Sequence, residues 1–400
     1  MIKTSIDMID LSRQYLRLKD EIDQAVLGVI ERANYINGPE VGLFASDLQK
    51  YLNVNHVIPC ANGTDAIQLA LMSLELKPGD EVITSAFSFI ASAEAILLLG
   101  LKPVFVDVDE GTFNIDCNRI ESAITSKTAV LLPVHLFGQG ADMSAVNYLA
   151  EKHGLHVIED AAQSMGASFD INGETKKLGT IGTIGCTSFF PSKNLGCYGD
   201  GGACYTDNQE LAQRIGMLGK HGSIVRYHHE MVGVNSRLDT LQAAVLRVKL
   251  QYMDALIAKR QKLAEQYNNA FENIQGIAVP KKETNSTHTY NQYTIRVKNG
   301  KRNDLQKFLK EKGIPSQVYY PIPLHLQNVF KKVSSDKFDC PVSERLCSEV
   351  LSLPVSTEME QDKIDYIIEN VWAFFELRTK SLPLNPLKGT LTSNGSLIFN

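Results

Sequence analysis

Lys193 is the one basic residue in the stretch Ser188-Phe-Phe-Pro-Ser-Lys193-Asn-Leu-Gly-Cys-Tyr-Gly-Asp-Gly-Gly202, and its neighbours are aromatic, small or glycine. An amine attacks a carbonyl only in its neutral form, which burial among apolar side chains favours. The glycines from Gly196 onward let backbone pass close to a bulky partner with no Cβ in the way. Three further segments carry complementary groups. Asn62-Gly63-Thr64-Asp65-Ala66 is a small-residue turn opening a helix, whose free amides and positive dipole end suit a phosphate. Phe87-Ser88-Phe89 offers an aromatic ring for stacking on a planar group. Glu159-Asp160-Ala-Ala-Gln163-Ser164 sets a carboxylate among small residues, where it could balance a protonated ring nitrogen. Taken singly, each has an ordinary explanation as a surface lysine, a helix cap or a core ring.

The elements that must position these groups give them a common address. Strand-like runs at 54–60, 81–85, 103–108, 129–135 and 156–159 alternate with helical patterns at 64–74, 91–99 and 143–153. This rhythm predicts an α/β fold, a parallel sheet with helices on both faces. Ligands of such sheets sit where the strands end. The phosphate-type turn, the ring, the carboxylate and the lysine fall in that order on successive strand-end loops. Together they are the parts that pyridoxal 5'-phosphate (PLP) requires: an anchor for its phosphate, a sandwich for its ring, an acid for its pyridine nitrogen and an amine to hold its aldehyde.

Composition is that of an ordinary enzyme. With 400 residues, 44% hydrophobic and 21% charged, the chain can bury a substantial core and form two or three domains. A net charge of −5 leaves no footprint for nucleic acid or an anionic membrane. No apolar run reaches the roughly 20 residues of a membrane span, and the polar N-terminus lacks a signal-peptide core, so the expected location is cytoplasmic. Seven scattered cysteines fit reduced thiols, and neither Cys197 nor Cys204 has metal-ligand spacing with a histidine; no metal is expected. Residues 1–245 are expected to form an N-terminal segment and the large domain, and 246–378 a smaller α+β domain. The latter is read from a long helical pattern at 250–271, a strand at 290–297 and helices at 304–312 and 362–378. Residues 379–400, rich in Pro, Gly, Ser, Thr and Asn, are expected to be a weakly ordered tail.

The chain resembles the DegT/DnrJ/EryC1/StrS family of PLP-dependent sugar aminotransferases to about residue 378. The resemblance is carried by Tyr35-Ile-Asn-Gly-Pro-Glu40, Cys60-Ala-Asn-Gly-Thr-Asp65, Val134-His-Leu-Phe-Gly138, Glu159-Asp-Ala-Ala-Gln163 and the lysine segment, and then by Gly233-Val-Asn-Ser-Arg-Leu-Asp239 and Tyr319-Tyr-Pro-Ile-Pro-Leu-His325. It implies PLP-dependent transferase fold type I, aspartate aminotransferase-like, with a large mixed or parallel-sheet domain and a smaller α+β C-terminal one. It also implies that Lys193 forms the internal aldimine and shuttles protons, Asp160 pairs with the pyridine nitrogen, and Gln163 lies near the ring hydroxyl. Gly63, Thr64 and Asp65 would bind the phosphate through backbone, Ser188 through its hydroxyl, and Phe89 would stack on the ring. Asn235 would reach the phosphate from a neighbouring subunit, making a homodimer with shared sites. Arg237 would face substrate or form an interface ion pair.

Relatives with histidine in place of this lysine perform dehydration; Lys193 implies amino transfer instead. L-glutamate would give its amine and leave as 2-oxoglutarate, and the aminated cofactor (PMP) would convert a ketone on a nucleotide-linked sugar. The lysine segment, Arg226-Tyr-His-His229 and Asn235-Ser-Arg-Leu-Asp-Thr-Leu-Gln242 are most similar to enzymes that aminate C3 of UDP-2-acetamido-3-keto-glucuronate for bacterial O-antigen or capsule. Those enzymes tend to have His-Tyr where this chain has Tyr319-Tyr320, which leaves a dTDP-3-keto-6-deoxyhexose or 4-keto sugar open, with a non-catalytic PLP-binding regulator as a further alternative. Candidate substrate contacts are Tyr35, His229, Arg237, Tyr319 and Tyr320, and His228, His229 and His325 either replace the missing imidazole or only pack.

Overall fold

Three helices precede the first strand in the computed structural model, α1 (Leu11–Arg17), α2 (Lys19–Arg32) and α3 (Pro39–Leu52). Strands and helices then alternate as β1 (His56–Cys60), α4 (Gly63–Ser73), β2 (Glu81–Ser85), α5 (Ala91–Leu98), β3 (Lys102–Val106), α6 (Cys117–Ala123), β4 (Thr128–Leu132), α7 (Met143–His153) and β5 (His156–Asp160). A hairpin of β6 (Ser168–Ile171) and β7 (Glu174–Lys177) leads to β8 (Ile184–Ser188), β9 (Gly202–Thr206), α8 (Gln209–Leu218), α9 (Thr240–Leu250) and α10 (Met253–Phe271). The remainder holds β10 (Ile277–Ala278), β11 (Tyr293–Val297), α11 (Arg302–Glu311), α12 (Asn328–Val333), α13 (Pro341–Glu349), β12 (Val350–Leu353) and α14 (Gln361–Thr379). The described residues are 6–225, 227–333 and 338–379, with two short paired strands at Thr390–Leu391 and Leu397–Ile398. The tail expected beyond residue 379 otherwise lies outside them.

Seven strands form one sheet in the order β1-β9-β8-β5-β4-β2-β3. β9 pairs antiparallel with β1 and β8, and every other neighbouring pair is parallel, so the sheet is mixed with β9 alone reversed. The reason is the connection: a parallel neighbour needs a crossover of a dozen or more residues, usually helical, whereas the loop from β8 to β9 contains no helix. Ser188 pairs with Gly202, so this loop leaves and re-enters the sheet at one edge, where the parallel strands end. The lysine segment is that loop.

Side chains alternate across the sheet as the two-residue strand period demands. Val82, Val130, Leu132, Ile158 and Ile184 face one layer with α4 and α8, while Ile83, Val106, Leu131 and Val157 face the other with α6 and α7. A second core is built on the antiparallel sheet β10-β11-β12 by α10, α11 and α14, with Tyr267, Phe271, Tyr293, Ile295, Leu309 and Ile367 buried in it. Within α10, Met253 and Ile257 pack into the larger body and Leu263 onward into the second core. Ile6 also lies in that second core, and the Val355 N–H donates to the Met8 carbonyl at 3.2 Å. The start of the described chain is therefore held against its C-terminal part.

The continuous helical pattern expected at 250–271 is broken at Gln251 and Tyr252, whose N–H groups turn back to Val248 and Lys249 and end α9 in a tight turn. All seven cysteines are free thiols. No helix among the described residues is long and apolar enough to cross a membrane.

Candidate active site

Lys193 sits half-buried on the loop between β8 and β9. Burial lowers its ammonium from the usual 10.5 to about 8, against a smaller upward pull from the nearby Asp160 carboxylate. Among the described residues its amine makes no hydrogen bond or ion pair. Lys249, on α9, is also lowered to about 8 by burial, but its amine donates to the Gly196 carbonyl and lies 5.3 Å from the centre of the Tyr198 ring. The two lysines thus divide the work: buried Lys249 holds the loop and half-buried Lys193 keeps a free amine. Two helical turns before Lys249, Gln242 accepts the Tyr198 N–H at 2.8 Å and donates to its carbonyl at 3.3 Å.

The turn between β1 and α4 is pressed against the same edge. A Cβ on Gly63 would lie 2.6 Å from the Ser188 Cβ, and one on Gly202 would lie 2.4 Å from the Asn62 carbonyl oxygen, so both positions require glycine. Asn62 caps α4 by accepting the Asp65 N–H at 2.8 Å. Of the three backbone groups expected at a phosphate, Asp65 therefore spends its N–H internally, and Gly63 and Thr64 keep theirs at the helix start. Ser188 closes this side, accepting the Phe190 N–H at 3.2 Å.

Asp160 ends β5 and is buried. It accepts from Ser92 Oγ at 2.7 Å and from the Ala162 N–H at 3.1 Å. Gln163, also buried, accepts the Phe137 N–H at 2.8 Å and so turns its amide nitrogen to the Tyr320 hydroxyl at 3.0 Å. Burial pushes the Tyr320 phenol up, so it stays protonated at neutral pH. The Phe89 ring is half exposed, its centre 6.1 Å from that of Tyr320. Tyr319, half-buried, lies beside it with ring centres 5.8 Å apart.

Behind Asp160 lies a group that sequence reasoning passed over. Glu159 is fully buried and accepts four N–H groups, from Gly179 at 2.8 Å, Ile181 at 2.7 Å, Gly182 at 2.6 Å and His135 Nε2 at 2.8 Å. His135 Nδ1 accepts the Ala141 N–H at 3.1 Å, which places the imidazole proton on Nε2. Glu159 therefore ties β5 to the loop before β8. In sequence it is one more carboxylate beside Asp160 at the end of β5, with nothing to mark it as buried. Ser92 was also missed, having no such mark within an alanine-rich helix.

The remaining candidates make no hydrogen bond or ring contact to this cluster among the described residues. Asn235 is exposed and bridges to Lys220. His229 is exposed, with Nδ1 2.8 Å from the His221 carbonyl. Tyr35 is 44% exposed, and its carbonyl accepts the Thr240 N–H. Arg237 lines a cavity of about 230 Å³ with Asn37 and Lys220, and makes no ion pair among the described residues. His325 is buried, its Nε2 3.2 Å from Glu344 Oε1. A larger cavity of about 910 Å³, lined by Glu75, His156, Arg214 and Met231, lies at the opposite end of the strands from Lys193.

The pattern described as the DegT/DnrJ/EryC1/StrS aminotransferase family matches residues 16–372. The chain belongs to this family. Among DegT-family relatives, the UDP-2-acetamido-2-deoxy-3-oxo-D-glucuronate aminotransferase of Pseudomonas aeruginosa is 46% identical, covering 90% of this chain and 98% of its own. A pleiotropic regulatory protein of Geobacillus stearothermophilus is 45% identical (93% and 99%), and a dTDP-3-amino-3,4,6-trideoxy-alpha-D-glucose transaminase of Streptomyces venezuelae 38% (92% and 96%). The solved structure of DesV from S. venezuelae in complex with a ketimine intermediate has a TM-score of 0.90 at 37% identity, covering 94% of this chain and 99% of that one. That of ntda from Bacillus subtilis with bound cofactor PMP has a TM-score of 0.86 at 32% identity (94% and 86%). DegT-family aminotransferases use PLP, and the residues here fit it. A close-packed turn offers free N–H groups, a buried carboxylate faces the lysine, and the lysine amine has no partner of its own.

Proposed function

We propose that this sugar aminotransferase moves an amino group from L-glutamate to C3 of UDP-2-acetamido-3-keto-glucuronate, in the cytoplasm, for bacterial surface polysaccharide such as O-antigen, lipopolysaccharide or capsule. The observation that carries the chemistry is the unpaired, buried Lys193 amine beside Asp160. The sugar rests on the relative of that activity at 46% identity. When bound, PLP supplies an aldehyde that accepts amino groups and a ring that accepts electrons.

The chain's own residues supply the rest. Gly63 and Thr64, with Ser188, would hold the phosphate, Asp160 would pair with the protonated ring nitrogen, and Phe89 would cover the ring. Lys193 Nζ, about half neutral at pH 8, would take the proton from the donor's amino-bearing carbon and pass it to the cofactor carbon within the same half-reaction; the second half-reaction would run that transfer in reverse onto the sugar carbon. Gln163 and Tyr320, locked to each other, form the wall beside it. The Tyr320 oxygen accepts from Gln163 and keeps its own proton to donate, but Tyr319 stands where the relatives' imidazole was expected, so that partner for a C6 carboxylate is missing. That supports the second reading, a dTDP-linked 3-keto-6-deoxy sugar, together with the relative at 38% identity. A panel of UDP- and dTDP-linked 3-keto and 4-keto sugars, followed by glutamate consumption, separates the two; preference for a 4-keto sugar overturns both. A cofactor band that no amino donor changes favours the regulator instead.

The site is shared between two copies of the chain. Asn235, outside the cluster in its own protomer, would complete the partner's phosphate site. Ile224, Tyr227 and Val232 nearby are 78%, 77% and 89% exposed, an apolar surface that a second copy would cover. Mixing Lys193→Ala and Asn235→Ala proteins, each inactive alone, is expected to restore about a quarter of wild-type activity through hybrids with one intact site. No recovery after subunit exchange would place each site within one protomer.

A further inference from the structure

Ser92 is the second residue of α5 and is fully buried. A serine near a helix start ordinarily turns its hydroxyl onto its own backbone. Here α5 has no side-chain cap, and the Ser92 hydroxyl instead crosses 68 residues of sequence to donate to Asp160 Oδ2 at 2.7 Å. The other carboxylate oxygen, Oδ1, accepts the Ala162 N–H at 3.1 Å. Ser88 Oγ lies 3.4 Å behind Ser92 Oγ, and Ser88 is buried too. With one donor fixed on each oxygen, the carboxylate cannot rotate without breaking a charge-assisted bond.

We infer that Ser92 is a positioning residue for amino transfer, fixing the plane of the Asp160 carboxylate and thereby the lone pair offered to the cofactor's ring nitrogen. This rests on Asp160 being the partner of that nitrogen. The placement carries a second consequence, since α5 begins just after Phe89. One short segment thus both sets the ring that covers the cofactor and aims the acid at its nitrogen.

A serine that merely fastened α5 to β5 would affect any ligand of the site alike. The test is therefore equilibrium binding of PLP, and of its 1-deaza analogue lacking the ring nitrogen, to cofactor-free wild-type, Ser92→Ala, Ser92→Thr and Asp160→Ala proteins. Ser92→Ala is expected to weaken PLP about tenfold, the loss of one charge-assisted hydrogen bond, and to leave the deaza analogue within about twofold. Ser92→Thr, which keeps the hydroxyl, is expected to restore wild-type binding, and thermal melting establishes that each variant is folded. If Asp160→Ala distinguishes the two ligands and Ser92→Ala does not, the role of Ser92 is overturned and that of Asp160 stands. If Asp160→Ala weakens both ligands alike, both assignments fall.

Discussion

Replacing Lys193 by alanine is expected to lower amino transfer by at least about 10⁴-fold while leaving the fold intact. The second half of that expectation follows from the site itself. The Lys193 amine has no partner among the described residues, so its removal strands no buried donor or acceptor. The wild-type amine also makes a pH prediction. With its pKa at about 8 and not 10.5, roughly 9% of it is neutral at pH 7, against roughly 0.03% for an ordinary lysine. Neutral amine increases with pH, so the rate at which cofactor-free protein takes up PLP should rise through about pH 8 and then level. Stopped-flow absorbance measures both properties. A Lys193→Ala protein that still turns over, or an uptake profile still climbing at pH 10, would refute the assignment.

Glu159→Ala is expected to cost about 4 kcal/mol of stability, among the largest losses available to a single substitution here. The carboxylate is fully buried and satisfies three backbone N–H groups and the His135 imidazole. Each orphaned group costs about 1–3 kcal/mol, with part recovered if water enters the space. Glu159→Gln keeps the size and one carbonyl oxygen but places an amide among donors, and should fall between the two. Denaturant unfolding of the cofactor-free chain reads the difference, and a loss below about 1 kcal/mol for Glu159→Ala would mean the network is not holding the strand end. Because Glu159 and Asp160 are consecutive on β5, the same variant should also weaken PLP binding.

Much of this site could be read before the structure because its signals were local. Lys193 is conspicuous as the one cation among glycines and aromatics, and the strand-end order follows from apolar runs of five residues separated by helices. Other parts depend on contacts far apart in the chain. Ser92 looks like one more small residue in a helix until Asp160 is placed beside it. Glu159 reads as the solvated end of a strand until four donors close around it. The reversal of β9 was hidden because a parallel and an antiparallel strand share the same alternation, and only the lack of a crossover tells them apart. The break between α9 and α10 involves two residues inside a periodic pattern, below what periodicity resolves. Asn235 was legible as a motif member, yet one protomer gives it only a bridge to Lys220, since its proposed partner is the second copy.

The reversed strand has one more effect. Both feet of the Lys193 loop stand on adjacent, directly paired residues, Ser188 and Gly202, and Phe189 N–H to Gly201 O at 2.7 Å and Cys197 N–H to Phe189 O at 2.8 Å cross-brace it. Its backbone cannot travel without unzipping the sheet. In the proposed reaction the amine would both grip a carbonyl and carry protons, and it can gain the reach for that only by rotation about the four carbon–carbon bonds of its own stem. The protein has built a rigid mast with a jointed arm, so shortening the arm should be far more harmful than loosening the mast.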